Sequence, residues 1–112
     1  MNKSLIEKIS LTDLDNYLKS DAYLDRLFIV EGIVLNEKYG TSKFNTPYCI
    51  FTIEDSSGSF EFAMFNEKYS VFYSIIKVGK ELRIVLCLKE IIPNTPYIKY
   101  LSVSDGETEL TV

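Results

Sequence analysis

Residues 48–65 read YCIFTIEDSSGSFEFAMF. Cys49, Phe51 and Ile53 alternate with Tyr48, Ile50, Thr52 and Glu54, and this period of two predicts a strand over residues 48–54. DSSG at 55–58 supplies a tight turn, with Gly58 free to take a positive φ. A second strand follows over 59–65, where Phe60, Phe62 and Met64 alternate with Ser59, Glu61, Ala63 and Phe65. The Phe51/Ile53 set and the Phe60/Phe62 set are wholly apolar and should look inward. Thr52, Glu54, Ser59 and Glu61 should look outward.

Working outward from this hairpin, residues 27–35, LFIVEGIVL, are dominated by β-branched and large apolar side chains and predict a preceding strand. Gly32 in its middle predicts a bulge or a sharp coil, as where a strand bends around a small barrel. Residues 36–47, NEKYGTSKFNTP, predict a loop. Further upstream, residues 11–19 predict a short helix capped by Ser10 or Thr12, with Asp13 and Asp15 at its positive end and Leu11, Leu14 and Leu18 on one face. Downstream, residues 66–77 predict a helix with Asn66 as N-cap and Tyr69, Phe72 and Ile76 on one side, ended by Val78-Gly79-Lys80. A strand over 81–89, a loop over 90–96 fixed by Pro93 and Pro96, and a last strand over 97–103 complete the body. Residues 104–112 read as a polar, acidic tail.

The order is β-β-β-α-β-β. It predicts an all-β fold, a five-stranded Greek-key OB barrel with one inter-strand helix and an N-terminal helix. An immunoglobulin-like sandwich would need about seven strands and no central helix. The expected organisation is an N-terminal helical extension packing on the barrel (1–25), the barrel itself (26–103) and the acidic tail (104–112).

The composition excludes several function classes. The chain has 112 residues, of which 46% are hydrophobic and 25% charged, which suits one domain with its own core. There is no histidine, so no Ser-His or Cys-His pair and no imidazole ligand exists. No phosphate-cradling glycine loop or convergent acid pair is visible, so no catalytic residue is assigned and the chain is read as a non-enzyme. Glu54 and Asp55 are neighbours on a strand and point to opposite faces, a poor start for a cation cage, so neither a metal nor a cofactor is expected. Cys49 and Cys87 sit in apolar runs and read as buried, reduced thiols. No apolar stretch approaches the ~20 residues of a membrane span, and MNKSLIEKIS lacks a signal-peptide core. The expected location is the cytoplasm.

The formal net charge is −4. Residues 1–25 carry −2, residues 100–112 carry −3, and the stretch between them carries +1. The ends are therefore acidic, and the body leaves room for a local anion-binding surface.

With the strands placed, residues 30–65 resemble the OB-fold module in the C-terminal region of the bacterial replicative DNA polymerase III alpha subunit, most closely the Bacteroidetes-like form. The matching features are Gly32-Ile33-Val34, Ser42-Lys43, the run Ile50 to Asp55, Ser57-Gly58 and Phe60 to Phe62. Phe65-Asn66-Glu67-Lys68-Tyr69 and Val78-Gly79 also match, and the likeness extends over most of residues 11–103. The broad pattern is shared with tRNA anticodon-binding OB domains. The resemblance implies a non-catalytic module near a polymerase whose active site lies in other domains.

OB folds bind single strands on the face of their second and third strands, between the loops that join strands 1–2 and 4–5. Aromatic faces stack on bases and cations meet phosphates. The candidate residues are Lys38, Tyr39, Lys43 and Phe44 in the first loop and Tyr48 at the mouth of strand two. Lys89 flanks the second loop on one side, with Tyr97 and Lys99 on the other. Each has a plainer reading: Tyr39 and Phe44 as pins for their loop, Tyr48 and Tyr97 as barrel-end packing, and the lysines as solvated surface. Phe51, Phe60, Phe62 and Phe72 are assigned to the core. Glu54 and Glu61 on the ligand face repel phosphate, so the expected partner is single-stranded DNA bound weakly, in the high-micromolar range or above. The rival partner is another replisome subunit docking on the same face or on the tail, and RNA is a third. The isolated domain is expected to be monomeric.

Overall fold

The computed structural model describes residues 6–92 and 95–112. Seven strands and two short helices form it: β1 (Glu7–Lys8), α1 (Leu11–Tyr17), β2 (Leu27–Thr41), β3 (Pro47–Asp55), β4 (Gly58–Phe65), α2 (Asn66–Phe72), β5 (Glu81–Ile92), β6 (Thr95–Ser104) and β7 (Glu109–Thr111). The sheet order is β4-β3-β2-β5-β6-β7, with β1 lying parallel against β2. β2, β3 and β4 form a meander, and after α2 the chain returns to pair β5 with β2. This is the OB-like Greek key, built from β2 to β6 with two short flanking strands.

The bend in β2 makes the barrel. Its first half, Leu27 to Ile33, pairs with β5, and its second half, from Ile33 to Thr41, pairs with β3. Ile33 thus faces Glu81 on one side and Glu54 on the other. A register shift between Val34 and Asn36 marks a bulge. Gly32 lies at this switch, where a Cβ would come 2.7 Å from the Glu54 carbonyl oxygen. Glycine is required there because the end of β3 crosses against β2.

Ladder hydrogen bonds do not close the barrel between β4 and β6 among the described residues. Side chains span the gap instead. The Tyr100 hydroxyl donates to the Ala63 carbonyl at 3.0 Å, and the Lys68 ammonium donates to the Tyr100 carbonyl at 3.3 Å. Tyr100 is buried against Phe62 with its ring edge-on, and burial pushes its phenol pKa up.

The core matches the alternating pattern. Phe51, Ile53, Phe62, Met64, Leu82, Ile84 and Leu86 are fully buried, as is Phe72 from α2. Phe60 is half-buried and leans on Phe62. Cys49 and Cys87 are buried free thiols, and burial pushes the Cys49 thiol up to about 11.

α1 packs its Leu11 and Leu14 into the core beside β4. Ser10 caps it, accepting from the Asp13 N–H at 3.0 Å. Thr12, the other expected cap, instead donates from Oγ1 to the Ser57 carbonyl at 3.0 Å. Asp55 completes this joint, accepting from the N–H of Leu11 at 2.9 Å and of Ser57 at 2.8 Å. Burial opposes its ionisation, but these bonds and those from the Ser57 hydroxyl and Gly58 outweigh it and lower the carboxyl pKa.

Several boundaries differ from the expectation. Residues 36–41 are not loop but the continuation of β2, because they pair with β3 from Asn36 opposite Thr52 to Thr41 opposite Pro47; Glu37 there accepts from the Val78 N–H at 2.8 Å. The loop contracts to residues 42–46. The expected helix over 66–77 ends at Phe72 and is followed by a 3₁₀ turn, Tyr73–Ile75. Asn66 is not its cap: Asn66 is the first helical residue, at φ 51°, and Phe65 stands in the cap position without a side-chain acceptor. β5 and β6 run on into the expected 90–96 loop, leaving residues 93–94, with Pro93, outside the described residues. Residues 104–112 are not a free tail. Asp105 accepts from the N–H of Glu107 and Thr108, and β7 then pairs with β6 while Leu110 packs on the core.

Candidate nucleic-acid interface

The ladders place one cross-strand row on the outer face: Gly40 of β2 opposite Tyr48 of β3, and Tyr48 opposite Phe65 of β4. The Tyr48 and Phe65 rings meet at 5.7 Å between centroids, tilted by 44°. Phe65 remains 50% exposed. Gly40 makes room for the tyrosine, since a Cβ there would lie 2.6 Å from the Tyr48 hydroxyl.

The loop over 42–46 begins beside this row. It is short and internally tied: the Ser42 N–H donates to the Thr46 carbonyl at 2.8 Å, and the Ser42 hydroxyl accepts from the N–H of Phe44 and of Thr46. Asn45 takes φ 64°, a conformation asparagine tolerates. This loop holds Phe44 at 79% exposure, with the Lys43 ammonium 5.3 Å from its ring centre. An ordered phenyl ring facing water beside a cation is a surface for stacking a planar, anionic ligand.

On the other side, Phe65 also lines a groove of about 350 Å³ along the open seam between β4 and β6. Lys68, Lys89, Tyr97 and Lys99 line it too, and no carboxylate does. The Lys68 ammonium is held by the Tyr100 carbonyl. Lys89 is paired with Asp25 at 2.6 Å, and among the described residues Lys99 forms no ion pair. Tyr97 is 37% exposed.

The sequence candidates therefore divide. Phe44, Lys43 and Tyr48 stand on one flank of Phe65, while Lys89, Tyr97 and Lys99 stand on the other. Lys38 lies on the outer face of β2 opposite Ile50, and is a strand residue rather than a loop residue. Tyr39 is also on β2, and it faces the other way. Its hydroxyl donates to the Ile76 carbonyl at 2.8 Å, its ring meets Tyr69 edge-on, and Lys77 lies over it. Burial, then the nearby Glu37 carboxylate, pushes its phenol up to about 12. Tyr39 fastens β2 to the turn after α2 and is not a free stacking face.

Two groove residues escaped the sequence reading, Phe65 and Lys68. The signal for Phe65 was present: counting back from the turn at Asp55–Gly58 puts it opposite Tyr48. Lys68 depends on where α2 leaves β4, which periodicity does not give.

Glu54 and Glu61 lie away from this row. Glu61 is four residues from Phe65 along β4, about 13 Å at the strand rise, and Glu54 is six from Tyr48, about 20 Å. Glu54 instead joins Glu31, Asp55 and Glu81 around a larger cavity of about 590 Å³ at the opposite end. Lys8 and Arg83 pair with Glu31 there. That cavity is roomier but acidic; of the two, the smaller groove is the one that combines aromatic faces with cations. Among the described residues no group of three His, Cys, Asp or Glu side chains could hold a metal ion, and no helix is long and apolar enough to cross a membrane.

No protein-family model and no curated protein matches this chain. Among solved structures, one that is similar is the solution structure of the second OB-fold domain of replication protein A from Methanococcus maripaludis. It has 14% identity and a TM-score of 0.44, covering 77% of this chain and 87% of that one.

Proposed function

We propose that this chain is a non-catalytic OB module that binds single-stranded DNA weakly. The strand would run from the Phe44 loop across the Tyr48–Phe65 pair into the lysine groove. The observation that carries this reading is Phe65: one half-exposed ring is shared by the aromatic pair and by a groove with three lysines and no carboxylate. Stacking on such rings is tolerant of sequence and worth about 1–3 kcal/mol per base. With few cations to meet phosphates, intrinsic affinity is low. The resemblance of residues 30–65 to the polymerase III alpha module supports a place within a cytoplasmic replicative polymerase, where tethering would supply a high effective concentration.

The test is fluorescence anisotropy of a labelled, mixed-sequence single-stranded DNA titrated with the full chain at low salt. Saturable binding that weakens with salt, and is lost in Phe44→Ala plus Phe65→Ala, is the expected result. No saturation at millimolar protein would remove autonomous DNA binding.

A second reading, docking of another replisome subunit, is favoured by the outer face of β2. There Ile33 is 48% and Leu35 44% exposed, close to Glu54 and Glu81. Under that reading Ile33→Ser would abolish co-elution with a partner subunit and leave the DNA titration unchanged.

A further inference from the structure

Asp25 stands outside the groove lining but reaches into its electrostatics. Its carboxylate lies 2.6 Å from the Lys89 ammonium. The backbone holds it there: Asp25 takes φ 64°, and its N–H donates to the Leu88 carbonyl at 2.7 Å. Residues with φ in this range are commonly Gly, Asn or Asp, and only Asp adds a charge. The other two groove lysines are placed differently, Lys68 on the Tyr100 carbonyl and Lys99 with no ion pair among the described residues. The hydrogen bond that Lys89 donates to Asp25, ahead of the carboxylate's charge, raises the Lys89 pKa, consistent with a well-formed contact.

Resting on the DNA-binding reading above, we propose that Asp25 is an internal stand-in for phosphate: its carboxylate occupies Lys89 in the free protein, and a phosphate of the bound strand must displace it. Carboxylate and phosphate oxygens both accept from an ammonium at this distance, so Lys89 can exchange one for the other without moving far. The pair is largely exposed on the aspartate side, and exposed pairs are weak enough to be exchanged. Asp25 thereby lowers affinity for any single strand and leaves base stacking untouched.

The test repeats the anisotropy titration with single-stranded DNA longer than one OB footprint of about 4–16 nucleotides, at several salt concentrations. Asp25→Asn keeps a residue suited to positive φ and removes the charge. It is expected to bind several-fold tighter, with log K falling more steeply against log salt by up to about 0.7. Asp21→Asn, which removes a nearby acid with no lysine partner among the described residues, should give a much smaller gain. The gain from Asp25→Asn should vanish in a Lys89→Met background. Independently of any change at Asp25, Lys89→Met should weaken binding less than Lys99→Met, because the Lys89 charge is already engaged. The inference is overturned if the wild-type chain binds but Asp25→Asn matches it, if Asp21→Asn gains as much, or if the gain survives Lys89→Met. If neither the wild-type chain nor Asp25→Asn binds DNA, the DNA-binding reading falls and this inference with it.

Discussion

The Tyr48 ring lies across the backbone of Gly40, so close that a single methyl group at Gly40 would come 2.6 Å from the tyrosine hydroxyl. That contact sets where the ring sits, and the ring in turn sits against Phe65. Gly40→Ala is therefore expected to push Tyr48 aside. The fold should survive with a loss of no more than about 0.5 kcal/mol, since the atom met is the outer end of a side chain that can swing aside, read from the urea midpoint. DNA affinity should fall with it, because the pair is no longer arrayed across the sheet.

Phe44 has the opposite profile. At 79% exposure it contributes little to packing, so Phe44→Ala should change stability by no more than about 0.5 kcal/mol. The same substitution should cost about 1–3 kcal/mol of DNA binding. A large drop in melting temperature would show instead that the ring pins its loop.

Asp55 couples acid stability to the docking of α1. Its pKa is lowered in the folded chain, so the stabilisation is fully present above the ordinary carboxylate value of about 3.9. It is lost as pH falls through the folded value. Asp55→Ala should cost about 1–3 kcal/mol near neutral pH, since it leaves the Leu11, Ser57 and Gly58 donors without their acceptor. Urea midpoints measured down to pH 3 should also fall less steeply than those of the wild-type chain.

Tyr100 does the converse at high pH. Its phenol pKa is raised by burial, so its contribution is intact below about pH 10 and is lost as pH rises towards the folded value. Tyr100→Phe removes the bond to the Ala63 carbonyl at the barrel seam and should cost about 1 kcal/mol. It should also delay alkaline unfolding, which circular dichroism would follow.

The strands and their inward faces were legible because period-two alternation survives in 48–54, 59–65 and 81–89, and Ser10 was legible as a cap from its type and place. β2 was read too short because NEKYG carries the polar residues and the glycine that mark loops. Here Glu37 and Tyr39 spend their polar ends on the turn after α2, and Gly40 serves a neighbouring ring. Tyr39 shows the limit of composition: an aromatic among lysines looks like a stacking face until its hydroxyl is seen to be committed. The tail misled for a similar reason, since three acids in 104–112 hide the Asp105 turn that folds the chain back as β7. Phe65 could be reached by counting across its hairpin, whereas Asp25 required tertiary register, since it meets Lys89 from 64 residues away.

The separation of the two ends of the barrel has a kinetic consequence. Glu54 and Glu81 gather at one end, and Lys68, Lys89 and Lys99 at the groove. Within a net charge of −4, charge is thus spread unevenly, with Lys99 at the groove and Glu54 and Glu81 at the far end forming no ion pair among the described residues. In the field of a polyanion such a body turns before it touches, groove first and acidic end away. Collisions would be pre-oriented, and the association rate should decline as rising ionic strength shortens the Debye length, about 10 Å at 0.1 M salt, below the roughly 20 Å between Glu54 and the aromatic row.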